Sequence, residues 1–153
     1  MGKVEDQLKS LGLFLPEVPV PLAAYVPAKK IGQVIFTAGQ LPMQKGELIC
    51  KGLLGQDVEV EQAYQAARIC TLNALAAIKG VVKDLDQIVQ VVRVVGYVAS
   101  TSTFTQQPAI VNGASELLLE IFGEVGKHAR SAVGVASLPL NASVEIELTV
   151  EVK

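Results

Sequence analysis

The chain has no tryptophan, one histidine and two cysteines, and aromatic residues fill only 5% of its 153 positions. With His128 alone, a two-histidine metal site within one chain is excluded. Cys50 and Cys70 stand in unrelated contexts without metal-ligand spacing, which leaves two reduced, buried thiols as their reading. Charge of one sign is also missing. Lysine plus arginine (13) nearly balances aspartate plus glutamate (15), so no long-range field recruits nucleic acid or an anionic membrane. No apolar run reaches the ~18 residues of a membrane span, and no basic segment precedes an apolar stretch at the start. The expectation is a soluble, cytoplasmic protein. Phosphate-binding loops, dinucleotide glycine fingerprints, Cys-x-x-Cys pairs and serine nucleophile motifs are absent too.

What is present is aliphatic. Half of the residues are hydrophobic, so the core must be built from Val, Leu, Ile and Ala. Such a surplus in a chain the size of one domain suggests apolar surface buried against another subunit. Residues 1–153 read as a single domain, with 1–21 forming a short helix (Val4–Leu11, stopped by Gly12) and an extended proline-rich connector, Leu15–Pro21. Strands are expected at Ala23–Pro27 and Gln33–Ala38 around a turn at Ala28–Gly32. Lys45–Asp57, with three glycines, reads as a loop with room for a short strand.

Asp57 is placed to cap a helix running to about Lys79, with Ala63, Ala67, Cys70, Ala74 and Ala77 on one narrow face. Ile88–Ala99 is dense in β-branched residues and reads as a strand covered on both faces. A second helix spans about Gln106–Phe122, with Pro108 in its first turn. Strands Ala129–Ala136 and Val144–Val152 close the chain. In the last, Val144, Ile146, Leu148, Val150 and Val152 point one way, and Glu145, Glu147, Thr149 and Glu151 the other. The order implies an α+β layer, two main helices on one face of a mixed, mostly antiparallel sheet.

Several residues invite chemistry. Arg130 sits in a strand of small apolar residues, where a guanidinium needs a carboxylate from the protein or from a ligand. An internal pair with Glu145, Glu147 or Glu151 is the alternative to ligand binding. Glu145 and Glu147 share a strand face, where mutual repulsion can raise a pKa and make a base; a solvated face is the plainer reading. Tyr25 borders a strand and could donate to a ligand, or be an ordinary half-buried tyrosine. His128 neighbours Arg130, which discourages its protonation, and reads as structural. Asn112 could reach a pocket or face solvent, and Gly39 could offer backbone contacts at a strand end.

Two strings resemble a known family. Phe36-Thr-Ala-Gly-Gln-Leu-Pro42 is similar to the "(I/F)-x-(S/A)-G-Q-(L/I)-P" motif of the imine deaminases, known as RidA or YjgF proteins and also labelled endoribonuclease L-PSP. Arg130-Ser131, Leu138-Pro139 and Val144-Glu145-Ile146-Glu147 resemble that family's closing signature. The resemblance covers Ala23 to the C-terminus. It implies a chorismate-mutase-like fold assembled as a homotrimer with clefts between subunits, and hydrolysis of 2-imino or enamine acids such as 2-aminoacrylate to 2-keto acids and ammonia, with no cofactor. Carried over by position, Arg130 would hold the substrate carboxylate and Glu145 would orient water. Tyr25, Gly39 and Asn112 would line the pocket. A non-catalytic binder of small carboxylates is the alternative, and an endoribonuclease has less physical support. Ala38 and Ala132 depart from the serine and cysteine that many members carry, which bears on substrate preference.

Overall fold

The computed structural model describes residues 2–18, 20 and 23–153. One five-stranded sheet organises the chain, in the order β1-β2-β7-β5-β6: β1 (Ala28–Ile31), β2 (Val34–Thr37), β7 (Val144–Val152), β5 (Ile88–Ala99) and β6 (Ala129–Val135). All neighbours pair antiparallel except β5 and β6, which run parallel because helix α3 (Gln107–Phe122) makes the crossover between them. Helix α2 (Val60–Val82) packs beside α3 on the same face. A two-stranded ribbon, β3 (Met43–Gln44) with β4 (Glu47–Leu48), lies in the loop before α2. The α+β expectation holds.

The alternation of β7 is reproduced residue by residue. Val144, Ile146, Leu148, Val150 and Val152 are buried beneath the helices, while Glu145, Glu147, Thr149 and Glu151 stand half-buried on the other face. Two glycines permit the close packing. A Cβ on Gly96 would run into the Val111 side chain, and one on Gly113 would strike the Tyr64 carbonyl, so α3 lies tight on β5 and α2 tight on α3. The small face Ala63, Ala67, Cys70, Ala74 and Ala77 is buried, and both cysteines are free and buried.

Four expectations need correction. The first strand is Ala28–Ile31, not Ala23–Pro27, because Gly32 takes a left-handed φ of 56° and closes a two-residue turn with Gln33, pairing Ile31 with Val34. Asp57 does not cap α2. Its carboxylate accepts from Leu53 N at 2.9 Å and closes the preceding loop, while Glu59 is the cap and its N–H donates to the Gln62 side chain. Strand β5 is covered on one face only within the chain; Val89, Val92 and Arg93 are exposed. Finally, Tyr25 lies outside the sheet.

The amino-terminal helix α1 (Lys3–Ser10) forms as expected and is fastened to the rest. Backbone N–H groups of Lys3 and Val4 donate to the Asp86 carboxylate at 2.8 and 2.9 Å, Gln7 donates to the Glu120 carbonyl on α3, and Glu5 pairs with Lys79 on α2. The connector after it has no regular structure through Val18; Pro19 and Pro21 of the expected Leu15–Pro21 segment lie outside the described residues. No described helix is long and apolar enough to cross a membrane.

Candidate functional site

The sequence-derived candidates fall into two clusters. The first gathers where β2 gives way to a loop against the start of β7. Gln40 bridges to Ile146 through paired backbone hydrogen bonds of 2.8 and 3.0 Å, which lays Gly39 against Glu145. A Cβ at position 39 would stand 2.7 Å from the Glu145 Cδ, so the glutamate side chain lies in space that only glycine leaves open. Tyr25 approaches through its backbone neighbourhood: the Pro27 carbonyl accepts from Ala38 N at 2.8 Å. The Tyr25 side chain is 58% exposed and has no hydrogen-bond partner among the described residues.

Glu145 is half-buried, and burial holds its carboxyl above the ordinary glutamate range, with the Glu147 charge adding to the rise. Glu147 in turn accepts a 2.6 Å hydrogen bond from the Tyr97 hydroxyl of β5, which pushes the phenol up to about 12. Tyr97 stands directly across from Glu145 in the strand register. Two carboxylates and a phenol thus form one patch on the uncovered face of the sheet.

The second cluster is on the opposite face. Arg130 pairs with Val94 in the β5–β6 register and therefore points, like Val94, toward the helices. Because β6 is an edge strand, the guanidinium emerges beside α3. Its Nη1 donates to Ser115 Oγ at 3.1 Å and its Nη2 to the Pro108 carbonyl at 3.4 Å. No carboxylate of the described residues lies within ion-pair distance of Arg130, so the internal pair with Glu145, Glu147 or Glu151 does not form. Asn112 is half-buried on the same α3 face, four residues after Pro108 and three before Ser115.

Ser115 and His128 complete this cluster. His128 Nε2 lies 2.8 Å from Ser115 Oγ and its Nδ1 lies 2.7 Å from the Gly126 carbonyl. Burial, and then the nearby Arg130 charge, hold the imidazole below its ordinary pKa, so it is neutral at neutral pH. Sequence reasoning had His128 as structural and missed Ser115, although its offset of seven from Pro108 and three from Asn112 places it on one helix face. Ala132, two residues after Arg130, packs against the core. Among the described residues no group of three or more His, Cys, Asp or Glu is gathered as a metal set would require.

Arg130 and Glu145 are therefore not brought together within one chain. Two strand spacings (~10 Å), about three residues along the strands and the thickness of the sheet separate them. What the fold builds is a cationic edge on one side and an acidic patch beside Gly39 on the other.

Comparison with known proteins agrees with this architecture. Residues 5–152 match the family described as "YjgF/chorismate mutase-like, putative endoribonuclease". Protein TCP17 of Trypanosoma cruzi is 40% identical over 151 residues, covering 98% of this chain and 94% of that protein. The crystal structure of Atu1372 from Agrobacterium tumefaciens, of unknown function, superposes with a TM-score of 0.93 at 45% identity, covering 99% of this chain and 93% of that one. The YjgF gene product of Escherichia coli superposes with a TM-score of 0.64 at 25% identity, over 88% of this chain and 93% of its own. With its two signature strings at the paired strand ends and the sheet order found here, the chain belongs to the YjgF/Rid family.

Proposed function

We propose that this protein hydrolyses short-lived 2-imino or enamine acids to 2-keto acids and ammonia in a cleft made by two copies of the chain. The observation that carries this reading is the guanidinium of Arg130, held by two neutral oxygens and left without a carboxylate. Of its five N–H donors two are engaged; the others suit a bidentate grip on a small carboxylate. The uncovered face of the sheet supports association. It mixes the Glu145–Glu147–Tyr97 patch with exposed Phe36 and Val133, apolar surface suited to burial against another copy. A homotrimer satisfies both needs, since each interface would set the Arg130 edge of one subunit against the Glu145 face of the next.

In such a cleft Arg130 binds the substrate carboxylate and Glu145, as carboxylate, takes a proton from water. An enamine first becomes its imine by moving a proton from nitrogen to the terminal carbon. The hydroxide formed from water adds to the imine carbon, and the nitrogen gains the proton that Glu145 took up. The tetrahedral carbinolamine then loses ammonia as its C–N bond breaks and the keto C=O forms. The raised pKa of Glu145 makes its carboxylate a stronger base than that of an exposed glutamate. No metal or organic cofactor takes part in these steps.

The test supplies the imine enzymatically and follows keto-acid release. Arg130→Ala should lower kcat/KM by about 10- to 100-fold, the worth of a charge-assisted pair of hydrogen bonds. Equal rates for the two proteins would remove the proposed role of Arg130.

A further inference from the structure

The Arg130 cluster contains a hydrogen-bond chain whose direction is set from one end. A carbonyl can only accept, so at 2.7 Å the Gly126 oxygen requires the proton of neutral His128 to sit on Nδ1. Nε2 is then bare and must accept. Its neighbour at 2.8 Å is Ser115 Oγ, whose hydroxyl hydrogen is accordingly committed to the ring. The serine oxygen is left with lone pairs only, and one of them meets Arg130 Nη1 at 3.1 Å. One backbone carbonyl thus orients an imidazole, a hydroxyl and a guanidinium in series.

The anchor itself is fixed. Gly126 is buried in the short helical turn after α3, and a Cβ there would strike the Leu118 carbonyl, so the turn is seated tightly on the helix that also bears Ser115. Around the imidazole the charged group is Arg130 on β6, while α3 offers the uncharged Ser115 and the turn offers the Gly126 carbonyl.

We infer that Ser115 and His128 are positioning residues for Arg130, holding its guanidinium by a one-way hydrogen-bond relay in the orientation that meets the substrate carboxylate. This rests on the reading of Arg130 as the carboxylate grip. Without the serine acceptor, Nη1 loses one of the two contacts that hold the fork, and the arginine must be ordered anew for each ligand.

Pyruvate, the smallest 2-keto acid, is the probe, and its dissociation constant is measured for the full-length wild type, Arg130→Ala, Ser115→Ala and Ser115→Thr. Loss of the serine acceptor at a half-exposed guanidinium, where water can take its place, should weaken pyruvate by roughly 3- to 10-fold in Ser115→Ala. Ser115→Thr, which keeps the hydroxyl, should bind like the wild type. A second readout needs no variant. As the chain has one histidine, its ring 15N spectrum should show a protonated Nδ1 and an unprotonated Nε2 at neutral pH. A proton on Nε2 overturns the relay, as does unchanged pyruvate binding in Ser115→Ala when Arg130→Ala loses it. Unchanged binding in Arg130→Ala would instead overturn the carboxylate site itself, and the relay with it.

Discussion

Arg130 and Glu145 stand on opposite faces of the same sheet with β5 between their strands: Arg130 aligns with Val94 beneath the helices, and Glu145 with Tyr97 on the uncovered side. Strand geometry alone forbids them from meeting around one ligand in one chain. Each nevertheless has the environment its proposed role requires. The arginine keeps free donors at a sheet edge, and the glutamate is half-buried beside a second carboxylate.

Gly39 is a sensitive place to test the Glu145 side. Gly39→Ala adds a Cβ that would lie 2.7 Å from the Glu145 Cδ, the far end of a flexible side chain that can swing away at small cost. The variant should keep near-wild-type thermal stability while losing up to about a hundredfold in kcat/KM, the scale of a displaced catalytic group. Wild-type turnover with the extra methyl would show that the position of this carboxylate is unimportant.

The acid limb of the pH profile should lie above the ordinary glutamate value of 4.5, since Glu145 must be ionised to act and burial, then Glu147, holds its pKa up. Glu147→Gln should move that limb down only in part, because burial remains. The sign for stability is opposite to that for activity. A carboxyl with a folded pKa above its unfolded one takes up a proton on folding, so its cost grows as pH rises through that window and is fully present above it. Glu145→Gln should therefore be inactive and yet melt higher than the wild type at neutral pH; thermal scans at pH 4 and pH 7 compare the two.

Helix packing gives a third expectation. Gly113→Ala places a methyl against the Tyr64 carbonyl, backbone that cannot step aside without shifting α2. A loss of about 1–3 kcal/mol is expected from such overpacking, read by denaturant unfolding. An unchanged midpoint would mean the two helices have slack that the structure does not show.

The strands and helices that alternation or composition marks strongly were legible in the sequence: β7 from its unbroken Val/Glu alternation, β5 from its β-branched run, α3 from Pro108 and its apolar face. The first hairpin was misplaced because Pro27 and the glycine turn compete, and only the pairing of Ile31 with Val34 decides which residues extend. Of the candidate site, Arg130, Glu145 and Gly39 could be proposed from type and motif. Ser115 and His128 could not, since they meet only when the fold brings two residues thirteen apart in the chain together beside the Gly126 carbonyl. The sidedness of Arg130 required knowing that β5 and β6 run parallel.

Subunit complementation bears most directly on the two-copy cleft. Alone, Arg130→Ala would keep at most about a tenth of wild-type kcat/KM and Glu145→Gln would be inactive. When equal amounts are unfolded and reassembled together, random mixing leaves roughly a quarter of the clefts with an intact arginine from one copy and an intact glutamate from its neighbour. Recovery of about a quarter of wild-type imine hydrolysis is the predicted result; a mixture no more active than its two separate components would contradict the shared site.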